Sequence, residues 1–212
     1  MVLNLGVLIS GRGSNLQAII DAIEGKKLEN VTIKVVVSNK KDAYGLERAR
    51  RHTIPAIFID DVPYKGRRKE YDEVVAKCLE EHGVTKDDGL VVLAGYMRIV
   101  TPEFIERFGG RVINIHPSLL PSFRGLEAPK QALEYGVKIA GCTVHFVVPD
   151  VDAGPIILQA AVAVEEGDTV DSLAMRILKE EHRILPEAIK LFAEGRLKVE
   201  GRKVRILPTK EG

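Results

Sequence analysis

Five apolar runs, LNLGVLIS, VTIKVVVS, PAIFI, GLVVLAG and RVINIH, fall within the first 116 residues, and helical patterns separate them. They are rich in Val, Ile and Leu on both faces, as strands covered by helices on both sides must be. The intervening stretches SNLQAIIDAIEG, AYGLERARRH, KEYDEVVAKCLEEHG and TPEFIERFG read as helices. This repeated strand–helix order predicts a doubly wound, mostly parallel sheet. After residue 137 the pattern changes. AGCTVHFVV and PIILQAAVAV are separated only by PDVDAG, too short for a helical crossover, so an antiparallel C-terminal part is expected. The predicted fold class is α/β, doubly wound and mostly parallel, with that antiparallel part at its end.

TVDSLAMRILKEEHRILPEAIKLFAEG then reads as one long helix, or two joined near Pro186, with Asp168 or Thr169 as the cap. RLKVEGRKVRIL reads as a hairpin at about residues 196–207, turning at Glu200-Gly201. The sequence contains no repeat or linker, so residues 1–212 are expected to form a single domain.

Composition narrows the function classes. Thirty-one basic residues against 30 acidic ones leave a net charge of +1, with no general attraction to nucleic acid or to a membrane surface. No apolar run approaches the roughly 20 residues of a membrane helix. The N-terminus has no basic leader and runs straight into LGVLISGRGSN. Cys78 and Cys142 lie apart in apolar stretches, as buried reduced thiols do. A cytoplasmic protein is expected, and nothing in the sequence specifies its oligomeric state.

Two segments carry chemistry. The first is SGRGSN, residues 10 to 15, between the first strand and the first helix. Its glycines permit close backbone approach, and the helix start offers N–H groups and a positive dipole end to an anion, most often a phosphate. A tight turn capped by Ser14 or Asn15 would use the same residues. The third glycine of a dinucleotide fingerprint is missing, there is no Walker loop, and the second strand ends in SNKK rather than in an acid. A small phosphorylated metabolite therefore suits the loop better than NAD does.

The second segment is NIHPSLLPSFRG, residues 114 to 125. Asn114 and His116 are two apart at the carboxyl end of a predicted strand, where open α/β sheets bind ligands, so their side chains share a face. Asn114 can donate to a developing oxyanion, and His116 can carry a proton near neutral pH. Asp152, in PDVDAGP, can orient the histidine and hold its charge; Asp150 competes for that role, and a plain turn residue is the alternative for either. His116 itself has a structural alternative, bonded to backbone. His52 and His82 sit at predicted helix ends, as dipole partners do. His145 alternates with Thr143 and Val147 on a strand face and could line the same cleft, and His182 reads as packed. No His/Cys/Asp/Glu set has metal-ligand spacing and no nucleophile elbow is present. The residues thus point to metal-free group transfer or hydrolysis at a carbonyl-like centre of a small phosphorylated substrate.

SGRGSNLQAI, VLAGYMRIV, NIHPSLLPSFRG, VHFVVPDVDAGPIILQ and EEHRILPEAI together resemble the phosphoribosylglycinamide formyltransferases of purine biosynthesis, in order and spacing from about Val2 to Gly195. The resemblance implies formyl transfer from 10-formyltetrahydrofolate to the glycinamide amine. It implies Asn114, His116 and Asp152 as the catalytic trio and Gly13, Ser14 and Asn15 as the phosphate loop. It makes Glu181 a substrate contact. It also implies a folate pocket formed by Arg68, Met97, Arg98, Ile99 and Val100, and by Val148, Pro149, Asp150, Val151 and Asp152, with Asn114 at its edge. GLEAPKQAL departs from the pattern: Glu127 and Pro129 stand where some members carry histidines, as in methionyl-tRNA formyltransferase. That relative's extra C-terminal domain, and the N-terminal regulatory domain of the formyltetrahydrofolate deformylases, are not expected here. A folate-dependent hydrolase releasing formate is the alternative activity.

Overall fold

The structure, a computed structural model, describes residues 2–209. The chain divides into two compact units, one up to Asn114 and one from Ile115 on.

The first unit contains β1 (Leu3–Ile9), α1 (Ser14–Glu24), β2 (Val31–Ser38), α2 (Tyr44–Arg51), β3 (Ala56–Phe58), α3 (Arg68–Glu81), β4 (Gly89–Leu93) and α4 (Pro102–Arg107), and most of β5 (Val112–His116). Strand order is β3-β2-β1-β4-β5, and each neighbouring pair is parallel. Leu5 stands opposite Ile33 on one side and Leu90 on the other. All three are buried, which is why the inner runs are apolar on both faces. α1 buries Leu16, Ile19, Ile20 and Ala22, a stripe at helical spacing. The chain order reverses direction at β1, because β2 and β3 lie on one side of it and β4 on the other. The carboxyl ends of β1 and β4 therefore flank the kind of crevice where such sheets bind ligands.

The second unit contains α5 (Ala128–Tyr135), β6 (Ile139–Phe146), β7 (Ile156–Ala163), α6 (Val170–Ala193), β8 (Leu197–Glu200) and β9 (Lys203–Ile206). β6 and β7 pair antiparallel, from Ile139 opposite Ala163 to His145 opposite Ile156. β9 is parallel to β7 and antiparallel to β8. The expected α/β class, parallel first and antiparallel towards the end, is the observed one.

The structure decides between local alternatives and corrects one turn. The stretch GLEAPKQAL includes the start of a helix, α5, entered through Glu127 in the left-handed region with Pro129 in its first turn. α6 is one helix, with Pro186 inside it. Its apolar stripe continues through Ile184, Leu185, Ala188 and Ile189, so packing on both sides of the proline outweighs the one lost backbone bond. The hairpin turns at Gly201-Arg202, one residue later than expected. Thr169 caps α6 in a reciprocal box with Ser172, and Asp168 instead holds Arg176 at 2.7 Å.

Candidate active site

In the first unit, the loop after β1 enters α1 through Gly13, at φ 68° and ψ 30°. No side chain caps this helix start, so neither Ser14 nor Asn15 is the N-cap. A Cβ at Gly13 would stand 2.5 Å from Gly45 Cα, and the Gly45 N–H donates to Gly11 O at 3.0 Å. Only glycine at both positions lets α2 support the loop this closely. Arg48 braces it further, with Nε on Arg12 O at 2.9 Å and a second nitrogen on Gln17 Oε1 at 3.0 Å. Gly45 and Arg48 were missed from sequence, because the signal is a pair of glycines 32 positions apart. The loop is a preformed backbone cradle at a helix start, the arrangement that binds phosphate.

Met97, Arg98, Ile99 and Val100 follow β4 in the same unit. Met97 and Ile99 are large apolar side chains exposed at 62% and 48%, whereas Val100 is buried. Adjacent exposed apolar groups on an irregular segment suit a flat, partly apolar ligand. Arg98 turns inward, its guanidinium 2.7 Å from Asp61 and stacked 4.2 Å from the Tyr71 ring centre. Arg68 opens α3 and is exposed.

β5 carries Asn114, the last residue of the first unit, and ends two residues later, in the second, at His116, whose side chain shares its strand face. His116 is buried, with Nδ1 3.4 Å from Asp152 Oδ2 and Nε2 2.9 Å from Phe123 O. Both ring nitrogens therefore face acceptors, a setting only the imidazolium fully satisfies. Burial opposes that charge and dominates. It holds the His116 pKa below 6.5, against the upward pull of the Phe123 carbonyl and Asp152, and His145 lowers it further. The upward shift expected from a nearby carboxylate is present but outweighed at 3.4 Å.

Asp152 lies in the β6–β7 connection at φ +48°, a left-handed conformation that Asp tolerates better than most residues. The Gly125 N–H donates to its Oδ2 at 2.8 Å, and His145 Nε2 lies 3.7 Å from Oδ1. Burial pushes its pKa up, but His145, the Gly125 N–H and His116 outweigh burial and leave it below 3.8. Asp150 is exposed, and Val151 beside it is exposed too. The geometry thus places Asp152, and not Asp150, against the histidine. Val148 is half-buried and Pro149 exposed in the same connection.

The loop from 117 to 125 is held from behind. Thr143 donates to Ser118 O at 2.7 Å and accepts from the Leu120 N–H at 3.1 Å. Gln159 donates to Leu120 O at 3.0 Å and to Thr143 Oγ1 at 2.9 Å. These bonds fix the loop whose Phe123 carbonyl and Gly125 N–H contact the His–Asp pair. Phe123 is itself at φ 54°, rare for a bulky residue. Sequence reasoning singled out His145 as a possible cleft residue, noted Thr143 only as its neighbour on the strand face, and missed Gln159 and the Phe123 carbonyl. Glu181 is buried on α6, and its charge is felt by Cys142, whose thiol burial and that charge push up to about 12. Among the described residues no group of three or more His, Cys, Asp or Glu is arranged to hold a metal ion.

Comparison with known proteins accounts for this combination. The family model for formyl transferase matches residues 3–189. The phosphoribosylglycinamide formyltransferase of Escherichia coli K12 is 47% identical over 202 residues, covering 93% of this chain and 90% of that protein. The Homo sapiens trifunctional purine biosynthetic protein adenosine-3 is 49% identical over 191 residues, 90% of this chain; the chain spans only 18% of that protein's length. Among solved structures, glycinamide ribonucleotide transformylase 1 from Symbiobacterium toebii superposes with a TM-score of 0.93 at 57% identity, covering 98% of this chain and 95% of that one. The chain belongs to the formyl transferase family.

Proposed function

We propose that this chain transfers a formyl group from 10-formyltetrahydrofolate to the amine of phosphoribosylglycinamide, as one formyltransferase domain acting in the cytoplasm. The observation that carries the reading is the buried His116–Asp152 pair at the end of β5, with Asn114 on the same strand face. The backbone cradle at Gly13, Ser14 and Asn15 supports a phosphorylated acceptor, with Glu181 as a second acceptor contact. Arg68, Met97 to Val100, Asn114 and Val148 to Asp152 are assigned to the folate. The partners are two small molecules, with no nucleic acid and no metal.

The acceptor amine forms a bond to the formyl carbon, and the carbonyl electrons move to oxygen. The Asn114 amide donates to that oxygen as its charge grows. The tetrahedral adduct collapses by breaking the carbon–nitrogen bond to the folate. The amine loses a proton, and the folate nitrogen gains one. His116 relays that proton, which requires Nε2 to exchange the Phe123 carbonyl for the reacting groups. Asp152 stabilises the imidazolium formed on the way.

One assay tests the reading. The protein is incubated with 10-formyltetrahydrofolate, with and without phosphoribosylglycinamide, before and after dialysis against a strong chelator. Acceptor-dependent release of tetrahydrofolate that survives dialysis is expected. Release without acceptor would make the protein a hydrolase, and no release would remove the catalytic assignment. Activity lost to the chelator and restored by zinc would overturn the metal-free mechanism.

A further inference from the structure

A closed ring of hydrogen bonds crosses the carboxyl ends of four neighbouring parallel strands in the first unit. Asp61 follows β3, Asn39 follows β2, Ser10 follows β1, and Met97 and Arg98 follow β4, which is also their order across the sheet. The Met97 N–H donates to Ser10 Oγ at 2.8 Å. Ser10 Oγ donates to Asn39 Oδ1 at 2.6 Å, and Asn39 Nδ2 donates to Asp61 Oδ2 at 2.9 Å. Arg98 donates to the same carboxylate oxygen at 2.7 Å and, being bonded in sequence to Met97, closes the ring.

We propose that Ser10, Asn39 and Asp61 are positioning residues for the folate: the ring sets the conformation of the segment from Met97 to Val100 and fastens it to the root of the phosphate loop. The proposal rests on the assignment of that segment to the folate.

Three features favour a positioning role over simple capping of strand ends. First, the segment is irregular, and its Met97 and Ile99 side chains are largely exposed, so they contribute little packing. Its order comes from its backbone bonds, from Arg98 and from the buried Val100. Second, the ring spends the Arg98 charge internally. The guanidinium lies between Asp61 and the face of Tyr71, and its Nε is buried with no hydrogen-bond partner. A buried donor left unsatisfied costs free energy, so the strong bond to Asp61 is what retains the side chain in this place. Third, Ser10 occupies the position immediately before Gly11-Arg12-Gly13. Its one hydroxyl accepts from the folate-lining segment and donates into the ring, so the segment is anchored to the strand end that precedes the phosphate loop. Asn39 is almost fully buried, and its amide has one donor and one acceptor committed to the ring. Asp61 stays ionised: burial raises its pKa, but Asn39, Arg98 and Lys40 hold it below 3.8.

The test compares wild type, Asp61→Asn and Ser10→Ala by direct titration with 10-formyltetrahydrofolate and by steady-state kinetics. Asp61→Asn keeps the shape and removes the charge that Arg98 meets. Its Kd and KM for the folate are expected to rise about tenfold or more, the size of one charge-assisted bond. Its kcat and its KM for the phosphorylated acceptor are expected to change less than about threefold, within the range of a weak neutral contact. Ser10→Ala should show the same split at smaller size, since it removes two neutral bonds, from Met97 N–H and to Asn39 Oδ1, and leaves the Asp61–Arg98 ion pair in place. Folate binding unchanged in Asp61→Asn would overturn the ring's role while leaving the function intact. Parallel loss of kcat and of both substrates in both variants would reduce the ring to a stability element and also overturn the proposal. If wild type itself fails to bind the folate, the functional reading of the segment falls, and the ring proposal with it.

Discussion

Asp61 and Asp152 are both partly buried carboxylates held below their ordinary pKa, and they differ in what holds them. Asp61 meets the Asn39 amide, the Arg98 guanidinium and the Lys40 ammonium. Asp152 meets the Gly125 N–H and two imidazoles, His145 and His116, of which His116 titrates below 6.5. The first unit therefore presents a fixed electrostatic frame at its strand ends, and the second presents a titratable one. A frame of fixed charges suits holding a ligand, because it does not reorganise with pH. A frame of histidines around one carboxylate suits moving a proton. Variants of the strand-end frame around Asp61 should thus concentrate their effect on KM, and variants of the His116–Asp152 pair on kcat.

The largest expected break comes from His116. His116→Ala should lower kcat by about 10²–10⁴, the usual span for losing a positioned acid–base group. Asp152→Asn should cost no more than that, and the double variant should add little, because the two act as a unit. Saturating both substrates and measuring kcat for the three variants checks this; additive losses would mean that Asp152 works independently of the histidine.

Asn114→Ala is next. Losing one donor to a developing oxyanion should cost about 10²–10³ in kcat with little change in KM. A rise in KM alone would move Asn114 from the chemistry to ground-state binding.

Gly13→Ala sharpens the comparison from the other side. The added Cβ meets Gly45 Cα and forces an L-residue into the left-handed region. Strain of about 1–3 kcal/mol is expected in thermal or denaturant unfolding, with a higher KM for the phosphorylated acceptor. The same KM for phosphorylated and dephosphorylated acceptor in wild type would contradict the phosphate assignment.

The smallest effect is on stability against pH. The unfolded ring of His116 takes its proton near pH 6.5, and the buried ring only at lower pH. Between those values the unfolded state binds more protons, so stability falls as pH is lowered through about 6.5. Asp152 adds a second loss at more acid pH: its contribution is present above 3.8 and disappears as the pH falls through its lowered folded value. Melting curves from pH 7.5 to 5.5 should show the first loss in wild type and not in His116→Gln.

Much of this was legible in the sequence, for physical reasons that differ by region. Strands buried on both faces leave a continuous apolar run, so β1, β2, β4 and β5 were readable with their order. Asn114 and His116 were readable as a pair because strand alternation fixes their shared face. Contacts made by backbone were not readable: the Phe123 carbonyl on His116 and the Gly125 N–H on Asp152 leave no side-chain signature. Close approach across distance was equally invisible, as Gly13 against Gly45 shows. The capping preference of Ser and Asn pointed to the wrong residue at α1, because supporting the loop with α2 requires Gly13 in the left-handed region. Pro186 pointed to a possible break that the continuing apolar stripe of α6 overrides. Asp150 and Asp152 could not be separated by spacing alone; the turn that brings Asp152 to φ +48° and onto the Gly125 N–H decides between them.

The central claim is that the Asp152 charge acts through His116, and NMR titration of the His116 ring in wild type and in Asp152→Asn tests it most directly. The account requires a wild-type pKa below 6.5, set by burial, and a still lower one once the carboxylate charge is removed. A value in Asp152→Asn equal to or above that of wild type would contradict it.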